Sequence, residues 1–243
     1  MILRLITVGL ALMCAYAHAA EKPMRIVCVG DSITQGRQGK GEHKPTQSYR
    51  YALWKALIDA KHPADFVGSM TTGFEGSPVY EPYMGSEFPN RHEGRWGWTT
   101  EKVAEALQTS VASKTWQADL AIIMLGTNDK DTKTNLTPTV AAMRAIVGSL
   151  RLNNPQMRIV IGQPFQEWEP FPAMGAAYAA LAKELTTAES PIISTVTSTG
   201  WVSKPDLAGA TTVDWVHPNQ IGDAKLAAAF AAAIKPWLES TTK

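Results

Sequence analysis

Cysteine is nearly absent from this chain: its 243 residues include two, Cys14 and Cys28. Cys14 lies in an N-terminal stretch with the pattern of a cleaved leader, so Cys28 alone is expected in the mature chain. A lone cysteine forms no internal disulfide, and stability must come from the core. Cys28 sits in an apolar run and reads as a buried, inert side chain. Beyond the leader the histidines are His43, His62, His92 and His217. None pairs with another at metal-ligand spacing, and no cysteine pair helps, so no metal is expected. There is no G-x-x-x-x-G-K-[ST] and no G-x-G-x-x-G opening a helix, which disfavours phosphate or dinucleotide binding; no cofactor is expected. Charge of one sign is also missing. The chain has 23 Lys+Arg against 22 Asp+Glu, and the signs alternate. That gives no footprint for nucleic acid or an anionic membrane, and neither is expected as a partner. With 45% hydrophobic and 19% charged residues, the composition excludes a disordered tail. No internal repeat and no Pro/Ser/Gly linker interrupts it.

The first twenty residues read as a signal peptide. Residues 1–4 carry the single charge Arg4, residues 5–16 form a short apolar run, and Ala17-His18-Ala19 is a small-x-small site. Cleavage is expected after Ala19 or Ala20. The run is shorter than the roughly 20 apolar residues a bilayer span needs. The expected organisation is therefore a leader over 1–20 and one domain over 21–243, secreted or periplasmic. The sequence gives no sign of oligomeric state.

Five apolar runs read as buried strands: 26–29, 66–67 with its neighbours, 120–125, 159–161 and 192–196. Helical patterns lie between and after them, at 49–60, from Thr99 or Thr100 to 107, 137–152, 173–188 and 219–238. Thr137-Pro138 suits a first turn, since proline lacks an N–H that is unpaired there anyway. Strand-helix alternation with unbroken apolar strands predicts an α/β fold with a parallel sheet covered on both faces. One segment, 69–98, breaks the rhythm. It is rich in Gly, Pro and aromatics without a period, and a loop that long usually carries function.

Open α/β sheets bind ligands at the carboxyl ends of their strands. The first run ends in Gly30-Asp31-Ser32, the third in Gly126-Thr127-Asn128-Asp129, and Asp214-Trp215-Val216-His217 precedes the last helix. A serine hydroxyl needs a base to take its proton, and that base is usually a histidine oriented by a carboxylate. Three residues of separation lets one turn point Asp214 and His217 together. Acyl transfer also needs donors for an oxyanion. The Asn128 amide and the N–H groups of Ser32 and Gly97 are candidates. Asp31 and Asp129 adjoin these residues; Asp31 is expected to organise hydrogen bonds.

These blocks carry a resemblance. The chain resembles GDSL-type SGNH hydrolases, with Gly30-Asp31-Ser32, Gly97, Gly126-Thr127-Asn128-Asp129 and Asp214-x-x-His217 matching four motifs in order, over about Arg25 to Leu238. The resemblance implies a flavodoxin-like three-layer α/β/α sandwich with a central parallel five-stranded sheet. It implies Ser32 as nucleophile, His217 as base, Asp214 as orienting acid, and an oxyanion hole of Ser32, Gly97 and Asn128. A narrower similarity lies in Val67-Gly68-Ser69 followed by His92-Glu93-Gly94-x-x-Gly97-Trp98, which is similar to acetylxylan-esterase-like members of carbohydrate esterase family 3. That implies a serine esterase acting on small acyl esters, acetyl above all, on a small-molecule or polysaccharide substrate. Bulky Trp96 departs from the smaller residue often found before the glycine.

Four tryptophans, Trp96, Trp98, Trp168 and Trp215, fall in loops near the motifs. Each offers either a face for a sugar ring or packing for its loop, with Trp168 expected to be the most exposed. His92 either touches substrate or orders the long loop. Trp54 reads as core. Rival readings stay open: a lysophospholipase, thioesterase or arylesterase on the same triad, an acyltransferase, or a carbohydrate-binding protein with a silent triad. No large apolar lid-like run is present, which argues against a long-chain lipase.

Overall fold

The computed structural model describes residues 22–40, 44–129 and 135–239. The leader read over 1–20 and His43 lie outside the described residues. Strand β1 (Met24–Gly30) leads into a single-turn helix α1 (Ser32–Gln35), then α2 (Tyr49–Asp59) and β2 (Ala64–Val67). A two-residue strand β3 (Glu93–Gly94) precedes α3 (Thr100–Ala112) and β4 (Leu120–Met124). The chain continues through α4 (Thr137–Asn153), β5 (Arg158–Gly162), α5 (Phe171–Leu185), β6 (Ile192–Thr195) and α6 (Gln220–Glu239).

The sheet order is β2-β1-β4-β5-β6, and every pairing is parallel. The five expected strands are present. A sixth was not expected: β3 pairs with the end of β1, Val29 with Glu93 and Gly30 with Gly94, just past the reach of β2. Two residues are too few to show a period. The strands read as continuous apolar runs because both faces are covered. Val27, Val29, Ala121, Ile123, Ile159 and Ile161 meet α3, α4 and α5 on one side. Ile26, Cys28, Leu120, Ile122 and Val160 meet α2 and α6 on the other. Each fully buried aliphatic side chain here contributes on the order of 1.5–3 kcal/mol. Cys28 is buried in this second layer as expected, with its thiol pushed up to about 12 by burial.

The 69–98 segment is folded rather than loose. Its aromatics pack on α2: Tyr80 and Phe88 lie 5.2 and 5.5 Å from Tyr51, and Phe88 lies 5.4 Å from Trp54. The chain then returns to the sheet edge, where His92 pairs with Met70 before β3 begins. Gly94 lets that edge touch α1, since a Cβ there would meet the Gln35 backbone nitrogen at 2.7 Å. The next residues, 95–98, thus arrive at the carboxyl end of β1. The chain leaves β1 for β2 on one side, and β4 lies on the other. This reversal opens the crevice where such sheets bind ligands.

Candidate active site

Three segments meet at that crevice. The first is the turn after β1. The Asp31 carboxylate accepts the Ile33 N–H at 3.0 Å and caps α1, which makes Ser32 the first helical residue. Burial pushes the Asp31 carboxyl up to about 7, against the pull of that N–H, with Asp129 adding to the rise. Asp31 thus organises hydrogen bonds, as expected from the sequence.

The second segment is the turn before α6. The Asp214 carboxylate accepts the His217 backbone N–H at 2.8 Å, so one turn folds the two side chains together. Asp214 Oδ2 lies 2.8 Å and Oδ1 3.0 Å from His217 Nδ1. Burial raises the Asp214 carboxyl, but the ring and backbone N–H of His217 outweigh it and hold it down at about 2. Opposite a carboxylate Nδ1 carries the proton, which leaves Nε2 as an acceptor. Nε2 lies 3.0 Å from Ser32 Oγ. Trp215, between Asp214 and His217, adopts φ 72°, rare for a large side chain, and its N–H donates to Thr212 Oγ1 at 3.1 Å. Local strain of this kind is often held at functional sites.

The third segment pairs the 95–98 turn with the end of β4. Asn128 Nδ2 donates to the Trp98 carbonyl at 3.0 Å. An amide nitrogen carries two hydrogens, so one stays available for a ligand. Gly97 has φ 74°, and a Cβ there would meet nothing within 4 Å. Its requirement is conformational, and it faces open space. Asp129 is turned away. It accepts the Thr100 N–H and hydroxyl, both at 3.0 Å from Oδ2, and the Thr139 hydroxyl at 3.2 Å, tying α3 and α4 to β4.

The structure therefore brings Ser32, His217 and Asp214 into one hydrogen-bonded row and sets Gly97 and Asn128 beside the same crevice. It departs from the substrate-contact reading at His92 and Trp96, and from the expected exposure at Trp168. His92 is fully buried; its Nδ1 accepts the Gly94 N–H at 3.0 Å, so it orders the loop and has no surface for a ligand. Burial, with Arg50 and Arg95 nearby, holds its ring well below the ordinary range and thus neutral. Trp96 stacks with both Phe74 and His217 and is only partly exposed, so its indole is engaged in packing within the site. Trp168 is not the most exposed tryptophan: it is 44% exposed against 51% for Trp215 and 38% for Trp98. Charged neighbours in sequence do not decide exposure, because Trp168 rests edge-on against Phe171. Trp98, Trp168 and Trp215 remain open to solvent. Trp54 is buried, as expected.

Two arginines that the sequence motifs do not mark also shape the site. Arg37 is buried, with Nη2 3.4 Å from Asp214 Oδ2 and its guanidinium carbon 5.3 Å from the centre of the Trp96 ring. Arg50 is fully buried and donates to the Thr34 and Gln35 carbonyls that shape α1, and to Asn90 of the long segment. Their proximity to Gly36 and to the start of α2 was the available signal, but arginine is rarely buried, and sequence alone does not single it out.

A family model described as GDSL-like lipase/acylhydrolase matches residues 28–225, spanning all three segments. The chain belongs to the GDSL-like lipase/acylhydrolase family. As a member it is an ester-hydrolysing enzyme. Among solved structures it is similar to an acetyl esterase mutant with an acetate ion, at 23% identity and TM-score 0.71, over 90% of this chain and 99% of that one. It is also similar to a carbohydrate esterase family 3 structure from Talaromyces cellulolyticus, at 24% identity and TM-score 0.71, over 89% and 99% of the two chains. A Clostridium thermocellum family 3 carbohydrate esterase follows at 22% identity and TM-score 0.68, over 91% and 100%. No curated protein matches in sequence. At these identities the structural likeness speaks for the shared fold. The membership supports the GDSL reading of the motifs and a serine esterase as the coarse function.

Proposed function

We propose that this GDSL-family chain is a secreted serine esterase that removes small acyl groups, acetyl above all, from carbohydrate hydroxyls. One observation carries the reading: the unbroken row from Asp214 through His217 to Ser32, with links of 2.8 and 3.0 Å, at the sheet's topological reversal. In this reading Ser32 Oγ attacks the ester carbonyl while its proton passes to His217 Nε2. Asp214 keeps Nδ1 protonated and offsets the charge gained by the ring. The carbonyl oxygen becomes an oxyanion facing the Ser32 and Gly97 N–H groups and the second Asn128 hydrogen. The tetrahedral species collapses as His217 gives its proton to the leaving alcohol oxygen. The acyl-enzyme then reacts with water, which passes a proton to His217, and the acid leaves with Ser32 restored. No step calls for a metal or an organic cofactor.

The solvent-exposed Trp98, Trp168 and Trp215 are suited to a polysaccharide carrier, because indole faces match sugar rings. The likeness to acetyl and family 3 carbohydrate esterases supports the same choice of acyl group and carrier. Residues 21–243 are read as one catalytic domain behind a leader over 1–20. Among the described residues no helix is long and apolar enough to cross a membrane.

The test is hydrolysis of para-nitrophenyl acetate, butyrate and octanoate, together with acetate release from acetylated xylan. Acetate preference and xylan deacetylation are expected. A maximum at octanoate would move the enzyme to lipid or thioester substrates. Aryl ester hydrolysis with no acetate from xylan would remove the carbohydrate carrier from the proposal.

A further inference from the structure

We infer that Trp96 is the positioning residue of the general base, holding the His217 ring in the plane that links Asp214 to Ser32. This rests on the Ser32–His217–Asp214 reading above. The indole and imidazole rings are stacked with centroids 4.6 Å apart and planes 13° apart. The indole also stacks with Phe74, at 4.7 Å and 15°. The three rings form one continuous stack.

The stack is anchored to the nucleophile's own helix. The Trp96 backbone N–H donates to Gln35 Oε1 at 2.7 Å, and Gln35 is the last residue of α1, whose first is Ser32. The Phe74 N–H donates to the Gly36 carbonyl at 2.8 Å. Arg37 completes the frame: it faces the Trp96 ring, reaches Asp214 Oδ2 at 3.4 Å, and is fixed by Nε donating to the Lys44 carbonyl at 2.9 Å. Base, acid and nucleophile are thus referred to one short piece of chain, 32–37.

A physical need exists for this. Hydrogen bonds at Nδ1 and Nε2 fix the two nitrogens but leave the ring free to tilt about the line joining them. A tilted ring weakens both bonds, since they favour the ring plane. A flat aromatic surface against the ring removes the tilt. The contact also strengthens as the reaction proceeds, because His217 becomes cationic in the transition state and an indole face attracts a cation. An interaction that is stronger in the transition state raises kcat more than it changes KM.

The test compares Trp96→Phe, Trp96→Leu and Phe74→Leu with the parent on para-nitrophenyl acetate, which has no sugar. Trp96→Leu keeps apolar bulk without a ring face. It is expected to lower kcat by about tenfold or more, with KM nearly unchanged, as misplacement of a catalytic group does. Trp96→Phe is expected to restore most of the loss. Phe74→Leu, which removes only the backing of the stack, is expected to show a smaller fall in kcat, and it decides the matter if Trp96→Leu does not fold. Equal kcat for the Leu and Phe variants at position 96 would overturn the inference. So would an unchanged kcat with a raised KM for acetylated xylan, the signature of a sugar platform. Ser32→Ala distinguishes a failure of the triad from a failure of the Trp96 contact. If it stays active, the triad reading fails; if it is dead while Trp96→Leu matches the parent, only the Trp96 inference fails.

Discussion

Replacing Asp31 by Asn should stabilise the protein at alkaline pH and leave it nearly unchanged in acid. Asp31 is fully buried, directly before the nucleophile, with Oδ1 on the Ile33 N–H and no partner for Oδ2 among the described residues. Burial raises its carboxyl from 3.8 to about 7. A raised carboxyl binds its proton more tightly when folded, so its contribution is intact below about pH 3.8 and is lost as pH rises toward 7. Between those limits the parent loses ~1.4 kcal/mol of stability per pH unit from this group, about 4 kcal/mol in all. Asparagine keeps an oxygen for the Ile33 N–H, caps helices as well as aspartate, and never ionises. Any cost of its extra donor is the same at every pH and drops out of the slope. The assay is urea unfolding of parent and Asp31→Asn across the range from about pH 4 to about pH 8, with stability from linear extrapolation. The variant's advantage should grow steadily with pH and level off near neutrality. A difference that does not depend on pH, or that favours the parent at alkaline pH, would refute the reasoning.

Three further outcomes follow from the geometry. Asp214→Asn should lower kcat about 10³–10⁴-fold, because an amide can donate to Nδ1 and stabilise the wrong tautomer; initial rates on para-nitrophenyl acetate measure it. Asn128→Ala should cost about 10²-fold in kcat with little change in KM, since it removes one oxyanion donor and frees the Trp98 carbonyl; a Michaelis–Menten comparison is the check. Ile123→Ala, at a fully buried site in β4, should destabilise the fold by about 2–5 kcal/mol, seen as a lower urea midpoint with unchanged slope.

The sequence was most readable where one physical rule acts locally. β1, β4 and β5 stand out because strands covered on both faces must be apolar throughout, and their ends then locate Ser32 and Asn128. The Asp214–His217 pairing was legible because a turn of that length brings the two side chains together. Where long-range packing decides, the sequence was opaque. The stack of Phe74, Trp96 and His217 joins residues far apart in the chain, and each alone looks like an ordinary loop aromatic. Trp96 was therefore readable either as a sugar face or as loop packing, and the structure engages its ring with Phe74 and His217. His92 stayed open between substrate contact and loop ordering for similar reasons, because β3, which follows it, is too short to leave a pattern; the structure buries it. The helix α1 has four residues, less than the span over which a helical period can be read.

In the proposed mechanism Ser32 forms an acyl-enzyme with help from His217. The direct measurement is acid-quenched mass spectrometry of the protein mixed with para-nitrophenyl acetate. One acetyl group per chain is expected on the peptide carrying Ser32, and none on Ser32→Ala, which should also have lost hydrolysis. An acetyl group trapped elsewhere, or hydrolysis that survives Ser32→Ala, would contradict it.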